Sequence, residues 1–349
     1  MASAATRQEW QPDVLGAHFE QLTLPLSADN EGEVVATLVR YLPPFRSGLT
    51  RLQLTRPVAA GTDVLYLHGW SDYFFQRHLA EFFSRVGARF FALDLRKYGR
   101  SLRAGQTPGF ITDLATYDED IAAARAAMGG NRRLVVMGHS TGGLILSLWA
   151  ARHPGEASAV ILNSPWLEFQ ASGPARTVVA PLVGLGARVD PLAKIPSVDF
   201  GFYSRSVSAA MEGEWEYNTQ WRPERGFVVR PAWLSAILAG HARVAMGLAI
   251  EAPVFTMLSA RSTLLPHWTP AMLRSDIVLK VDDTARSALK LGPTVTVARF
   301  DGAIHDIMLS ERAVREDAYR QLTRWLRGYV AARGRVSRSL SRERSSVAT

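Results

Sequence analysis

The chain has 349 residues, of which 47% are hydrophobic, and this is enough for one sizeable folded core with an insertion. It contains no cysteine, which excludes disulfides, thiolate chemistry and cysteine-ligated metals. The net charge of +8 comes without any nucleic-acid-binding motif, so we expect no nucleic-acid partner.

The N-terminal residues predict no export signal. Residues 1–14 carry Arg7, Glu9 and Asp13 and lack an apolar core, and no run in the chain approaches about 18 apolar residues. We therefore expect a cytoplasmic protein without a transmembrane segment. Only four of the 40 basic residues are lysines, which is typical of a high-GC genome and indicates a bacterial source.

Short apolar runs alternate with helical patterns along most of the chain, as in a parallel sheet covered on both faces. The predicted strands are 33–41, 49–55, 63–67, 89–93, 133–137, 157–163, 253–258 and 294–300. Helices are predicted at 76–86, 113–128, 142–153 and 284–291. The sequence thus predicts an α/β fold with a mostly parallel eight-stranded sheet and helices on both faces.

The alternation stops at residues 165–249, which contain four tryptophans. This segment follows the sixth predicted strand, at the carboxyl edge of the sheet, where α/β proteins bind ligands. We therefore predict a helical cap at 165–249, inserted into a core made of 34–164 and 250–332. Residues 1–33 are predicted to form an N-terminal arm.

The C-terminal segment 333–349 is rich in serine and arginine. Its five arginines and one glutamate account for half of the net charge. This composition predicts a disordered tail, which is either simply solvated or associates weakly with an acidic surface.

A G-x-S-x-G motif occupies residues 138–142, directly after an apolar strand and directly before a helix. Glycines on both sides of the serine permit a sharp turn that exposes its hydroxyl. Ser140 is therefore a candidate nucleophile. It needs a base, and the best candidate is His305, which follows the last predicted strand in the run Asp301-Gly-Ala-Ile-His305.

The order of these motifs resembles that of the alpha/beta hydrolase superfamily. The runs HGWSDY (68–73), LDLRKYGRS (93–101) and GHSTGG (138–143) are most similar to its monoglyceride-lipase-like, serine aminopeptidase S33 branch. The resemblance implies the alpha/beta-hydrolase fold and a Ser-Asp-His site. It also implies an oxyanion hole formed by the backbone N–H groups of Trp70 and Thr141.

The acid departs from the family pattern, because no carboxylate occurs at 258–262, where the family has an aspartate. The first aspartate beyond is Asp276, and an insertion that displaces it along the chain but not in space would explain its position. Asp282, Asp283 and Glu168 remain alternatives. Asp282 and Asp283 also suit the N-cap of the predicted helix at 284–291.

The resemblance predicts a serine hydrolase that cleaves an apolar carboxylic ester, such as a monoacylglycerol, through an acyl-enzyme and without cofactor or metal. An aminopeptidase or amidase of the same fold is the first alternative, and Glu212, Glu214 and Glu216 could then hold an amino terminus. A hydrolase-like binding protein without turnover is the second. The sequence does not indicate the oligomeric state.

Overall fold

The computed structural model describes residues 9–44, 57–130, 132–169, 173–195 and 199–331. Their strands form one nine-stranded sheet in the order β1-β2-β3-β5-β4-β6-β7-β8-β9. The strands are β1 Gln11–Pro12, β2 Phe19–Asp29, β3 Gly32–Tyr41, β4 Thr62–Leu67, β5 Arg89–Asp94, β6 Arg133–His139, β7 Ala157–Asn163, β8 Val254–Ser259 and β9 Val295–Phe300. From β5 to β9 neighbouring strands are parallel, whereas β1, β2 and β3 pair antiparallel at one edge.

The helices cover both faces of the sheet. They are α1 Arg77–Arg85, α2 Tyr117–Met128, α3 Thr141–Arg152, α4 Gly173–Val189, α5 Phe202–Val207, α6 Pro231–Ala245, α7 Val281–Ala288 and α8 Arg312–Leu326. None of the helices in the described residues is long and apolar enough to cross a membrane.

The central strands carry apolar side chains on both faces because both faces of the sheet are covered. On β4, Leu65 and Leu67 pack in the core that contains α2, α3 and α6, whereas Val64 and Tyr66 pack in the core that contains α1 and α8. Successive side chains of a strand point to opposite faces, so one buried strand serves both cores. The same alternation occurs on β6.

The predicted mostly parallel sheet with helices on both faces is confirmed, but it has nine strands rather than eight. Residues 11–29, which we assigned to an N-terminal arm, form β1 and β2. The predicted strand at 49–55 and the tail at 333–349 lie outside the described residues.

The segment 165–249 lies between β7 and β8 and contains α4, α5 and α6. Of these helices, α6 packs into the core beside α3 through Trp233 and Ile237. The segment therefore begins at the carboxyl end of β7, and its helix α6 belongs to the same hydrophobic core as α3.

Candidate active site

Ser140 forms the turn between β6 and α3 and has the unusual backbone angles φ 50° and ψ −115°. A positive φ is strained in a residue with a side chain and persists only where the surroundings enforce it. One such constraint is the hydrogen bond that Ser140 N donates to Asn163 O, 3.0 Å long. The turn predicted from the G-x-S-x-G motif is therefore present.

Glycines on both sides of Ser140 allow the turn to close tightly. A Cβ added at Gly138 would lie 2.5 Å from Gly142 O, and one added at Gly142 would collide with the carbonyl oxygens of His68 and Leu67. All of these neighbours are backbone atoms that cannot rotate away. The motif thus packs α3 directly onto the end of β4.

We expect Gly142→Ala to lower the free energy of unfolding by about 1–3 kcal/mol, because the added methyl group overpacks a rigid contact. Urea titration followed by fluorescence measures this change. Gly184→Ala is the matched control, since Gly184 also lies within a helix and a Cβ there meets no atom within 4 Å. Equal stability of the two variants would contradict the tight packing of the turn.

His305 lies in the loop after β9, with its Nε2 3.1 Å from Ser140 Oγ and its Nδ1 2.9 Å from Asp276 Oδ2. A carboxylate can only accept a hydrogen bond, so the proton is on Nδ1 and Nε2 is free to accept from the serine hydroxyl. Both His305 and Asp276 are buried. The structure thus brings the three predicted residues into one hydrogen-bonded chain.

Asp276 reaches this position because the chain makes a detour and returns. Ser262 and Asp276 form a parallel bridge, in which Asp276 N donates to Arg261 O and Thr263 N donates to Asp276 O. The residues between them leave the end of β8 and come back to it. The other carboxylate oxygen, Oδ1, accepts hydrogen bonds of 2.8 Å from Val278 N and Leu279 N, which fixes the side chain.

The alternative acids have other partners. Asp282 forms an ion pair with Arg299, Asp283 forms one with Arg286, and Glu168 accepts a hydrogen bond from Ser287 Oγ. The predicted N-capping by Asp282 and Asp283 is wrong, because α7 begins one residue earlier than Asp282 and has no side-chain cap. Both aspartates lie in the first turn of α7, where they interact favourably with the helix dipole.

Trp70 and Thr141, the predicted oxyanion residues, both line a cavity that also contains Ser140 and His305. Within the described residues, neither of their backbone N–H groups donates to a protein acceptor. The Trp70 indole packs against Trp233, with ring centroids 3.7 Å apart. Both backbone N–H groups belong to cavity-lining residues and are therefore candidates for the predicted oxyanion hole.

The cavity has a volume of about 790 Å³ and a mixed lining. Its apolar side chains include Trp166, Ile195, Trp233, Leu234, Ile277 and Leu279. Five residues of its polar lining each have a buried side-chain atom with no hydrogen-bond partner among the described residues, namely Ser71 Oγ, Asp72 Oδ1, Thr141 Oγ1, Tyr203 OH and Arg222 Nη1. Buried polar atoms are normally paired, so these five unpaired atoms mark a polar part of the cavity wall.

The Asp72 carboxylate lies beside the Arg222 guanidinium, with Oδ1 3.2 Å from Nε. The contact is an ion pair but is not aligned as a hydrogen bond, since Oδ1 has no hydrogen-bond partner. Burial raises the pKa of Asp72, and Arg222 opposes this rise. Sequence reasoning did not identify this pair. Asp72 lies within the HGWSDY run, but no motif surrounds Arg222.

The remaining candidates lie apart from the serine. Glu212 forms an ion pair with Arg205, the Glu214 carboxylate lies 3.8 Å from Arg315, and neither they nor Glu216 is among the residues lining the cavity. His139, directly before Ser140, lines the cavity, and its ring centroid lies 5.0 Å from that of His305. Burial lowers the pKa of His139.

A protein-family model matches most of the central part of the chain. The family model described as serine aminopeptidase, S33, matches residues 60–267, more than half of the chain. A curated relative, the monoacylglycerol lipase of Mycolicibacterium smegmatis, is 33% identical over 106 residues. This match covers 29% of the chain and 37% of that lipase.

Solved structures show the same fold. A soluble variant of the monoglyceride lipase from Saccharomyces cerevisiae has a TM-score of 0.59 at 15% identity, covering 88% of this chain and 96% of that one. The monoacylglycerol lipase of Paleococcus ferrophilus has a TM-score of 0.56 at 18% identity, covering 77% and 97%. A carboxyl esterase from Bacillus coagulans has a TM-score of 0.60 at 14% identity, covering 89% and 99%.

Proposed function

Because the chain belongs to the serine aminopeptidase S33 family of alpha/beta hydrolases, we propose that it is a serine hydrolase that cleaves carboxylic esters. The observation that carries the proposal is the hydrogen-bonded chain from Ser140 through His305 to Asp276, at the wall of a cavity. A serine hydroxyl is a weak nucleophile unless a base removes its proton. Here the base His305 contacts the Ser140 hydroxyl, and Asp276 contacts and orients His305.

In the proposed reaction, His305 Nε2 takes the Ser140 proton while Oγ attacks the ester carbonyl carbon. The carbonyl oxygen becomes an oxyanion that accepts hydrogen bonds from the N–H groups of Trp70 and Thr141, each worth about 3 kcal/mol in the transition state. Protonated His305 gives its proton to the leaving alcohol, and the acyl group stays on Ser140. A water then loses a proton to His305 and attacks the acyl carbon. The bond from that carbon to Ser140 Oγ breaks as His305 returns the proton to Oγ, which releases the acid and restores the free serine.

We further propose that the substrate is an ester of an apolar acyl chain, such as a monoacylglycerol. Support comes from the apolar side chains of the cavity, which suit a hydrocarbon chain. The polar residues Ser71, Asp72, Tyr203 and Arg222 of the same lining carry both donors and acceptors, as the hydroxyl groups of a polyol alcohol require. Three of the matched proteins are monoacylglycerol or monoglyceride lipases.

We propose that the segment 165–249 is the cap of this site. It supplies Trp166, Tyr203, Arg222 and Trp233 to the lining of the cavity, whereas Ser140 and its partners come from the rest of the chain. An enclosing segment of this kind excludes water and selects among substrates.

An aminopeptidase of the same fold is the second candidate, and the description of the matched family favours it. Three carboxylates, of Asp72, Asp199 and Glu224, are among the residues lining the cavity and could bind an α-amino group. The carboxylates that we predicted for this role, those of Glu212, Glu214 and Glu216, are absent from that lining.

Two assays separate the candidates. A fluorophosphonate probe should label the wild-type chain and leave Ser140→Ala unlabelled, because the probe reacts only with an activated serine. Hydrolysis of p-nitrophenyl esters should then exceed that of aminoacyl p-nitroanilides by at least about 100-fold in kcat/KM, or about 2.7 kcal/mol. The opposite preference would favour the aminopeptidase, and absence of labelling would favour a binding protein without turnover.

A further inference from the structure

Asn163, the last residue of β7, joins the serine turn to the histidine loop. Its backbone oxygen accepts the hydrogen bond from Ser140 N, 3.0 Å long. Its side-chain Nδ2 donates to Asp306 Oδ1 at 2.6 Å, and its Oδ1 accepts from Ile307 N at 3.1 Å. Every polar atom of this side chain is therefore directed at the residues that follow His305.

Asp306 is fully buried and accepts hydrogen bonds at both carboxylate oxygens. Besides Asn163, Met308 N donates to Oδ1 at 2.9 Å and Gln76 Nε2 donates to Oδ2 at 3.1 Å. Gln76 is itself held, because its Oε1 accepts from Phe75 N. A set of three donors matches an ionised carboxylate, which can only accept.

We propose that Asn163 and Asp306 are positioning residues that hold His305 at hydrogen-bonding distance from Ser140. The inference rests on the proposed serine hydrolase function. Neither side chain hydrogen-bonds to His305 or Ser140 through its own polar atoms, so both act through the backbone on either side. The loop after β9 is thereby tied to the end of β7 by two side-chain hydrogen bonds of a single residue.

The amide of Asn163 is the chemically essential feature, because it donates to a carboxylate and accepts from an N–H at the same time. A carboxylate at position 163 would retain the acceptor but place a second negative charge against Asp306. Two carboxylates at about 3 Å cannot both be ionised, so one of them must hold a proton. In the variant Asn163→Asp, the side chain at position 163 should therefore hydrogen-bond to Asp306 only while that proton is present.

Other ionisable groups face Asp306 from the elements around it. Those whose charges interact with Asp306 are His78, His139, Tyr66, Tyr203, Tyr319, Asp72 and Arg222, and His305 directly precedes it in the chain. Burial lowers the pKa of His78 to about 4 and also lowers the pKa of His139, while burial raises the pKa values of the three tyrosines. These groups are common to wild type and variant, so a ratio of the two rates isolates the new carboxylate.

The test compares Asn163→Asp with wild type between about pH 5 and pH 9, using kcat per site titrated with the fluorophosphonate probe. We expect the ratio of variant to wild-type kcat to fall about 100-fold as pH rises, since a displacement of about 1 Å costs this much. KM should stay within about threefold. A loss of folded protein alone would lower the number of titrated sites and leave kcat per site unchanged.

Asn218→Asp is the matched control, because Asn218 lies in the segment 165–249, is exposed and makes its side-chain hydrogen bonds to Gln220 N and Trp221 N. Its rate ratio should not change with pH. In the double variant Asn163→Asp, Asp306→Asn, the amide and the carboxylate exchange positions. An amide again donates to a single ionised carboxylate. At high pH, the kcat per titrated site of the double variant should be at least about tenfold higher than that of Asn163→Asp.

Asn163→Ala covers the case in which Asn163→Asp does not fold. It adds no charge, and its kcat per titrated site should fall at least about tenfold at every pH. A pH-independent ratio for Asn163→Asp, or a kcat per site within twofold of wild type for Asn163→Ala, would overturn the proposal. Failure of the proposed function would instead appear in wild type, as absence of both labelling and turnover.

Discussion

Ser140→Ala is expected to lower kcat for ester hydrolysis by about 10⁶-fold, because the serine, histidine and aspartate act as a unit and none of the others can accept the acyl group. The hydroxyl is lost but the Cβ remains, so the strained turn and the packing of α3 should persist. Turnover of a p-nitrophenyl ester, with thermal unfolding as the measure of folding, checks both parts.

Ser147→Ala is the control for this variant. Ser147 also lies on α3 and is buried, but its hydroxyl donates to Gly143 O, 2.7 Å away, and makes no contact with His305. Its kcat should remain within about twofold of wild type. Turnover by Ser140→Ala above about a hundredth of the wild-type rate would remove Ser140 from its proposed role.

Asp276→Asn should lower kcat about 10⁴-fold with little change in stability. The amide is isosteric and its oxygen can still accept from Val278 N and Leu279 N, as Oδ1 of the carboxylate does. The amide nitrogen then faces His305 Nδ1, so the imidazole is held with its proton on Nε2 and cannot accept the serine proton. Steady-state kinetics at pH 8 measures the loss.

Asp282→Asn and Asp283→Asn are the matched controls, since both aspartates are close to Asp276 in sequence and form ion pairs away from His305. Each should keep nearly full turnover and lose at most about 1 kcal/mol of stability from the first turn of α7. If either control lost activity to the same extent as Asp276→Asn, the acid would have to be reassigned.

Much of the sheet could be predicted because its parallel strands are buried on both faces and appear as short apolar runs. The run at 157–163 coincides with β7, and the run at 89–93 differs from β5 by one residue. The strand β2, which lies next to the edge strand β1, was missed because it is not buried on both faces. Its side chains alternate between buried and exposed and it contains Pro25, so it lacks the continuous apolar signal of a central strand.

A residue of the site could be predicted where the residues next to it in sequence form a recognisable motif. Glycines around Ser140 are required by the turn itself, so the motif predicts the geometry that the structure has. Asp276 was harder to identify, since only the return of the chain beside Ser262 brings it to the end of β8. Asn163 could not be found from sequence at all, because its partners lie about 140 residues further along the chain and no local pattern records them.

The cavity is built from two separate parts of the chain, and this division affects how the protein can evolve or be engineered. Ser140, Asp276 and His305 all lie outside the segment 165–249, while this one continuous stretch of the gene supplies a large share of the cavity wall. Substrate selectivity can therefore change by recombination or mutation within the segment 165–249, while Ser140, Asp276 and His305 stay unchanged. A directed-evolution library confined to codons 165–249 would sample new substrates without altering the three proposed catalytic residues.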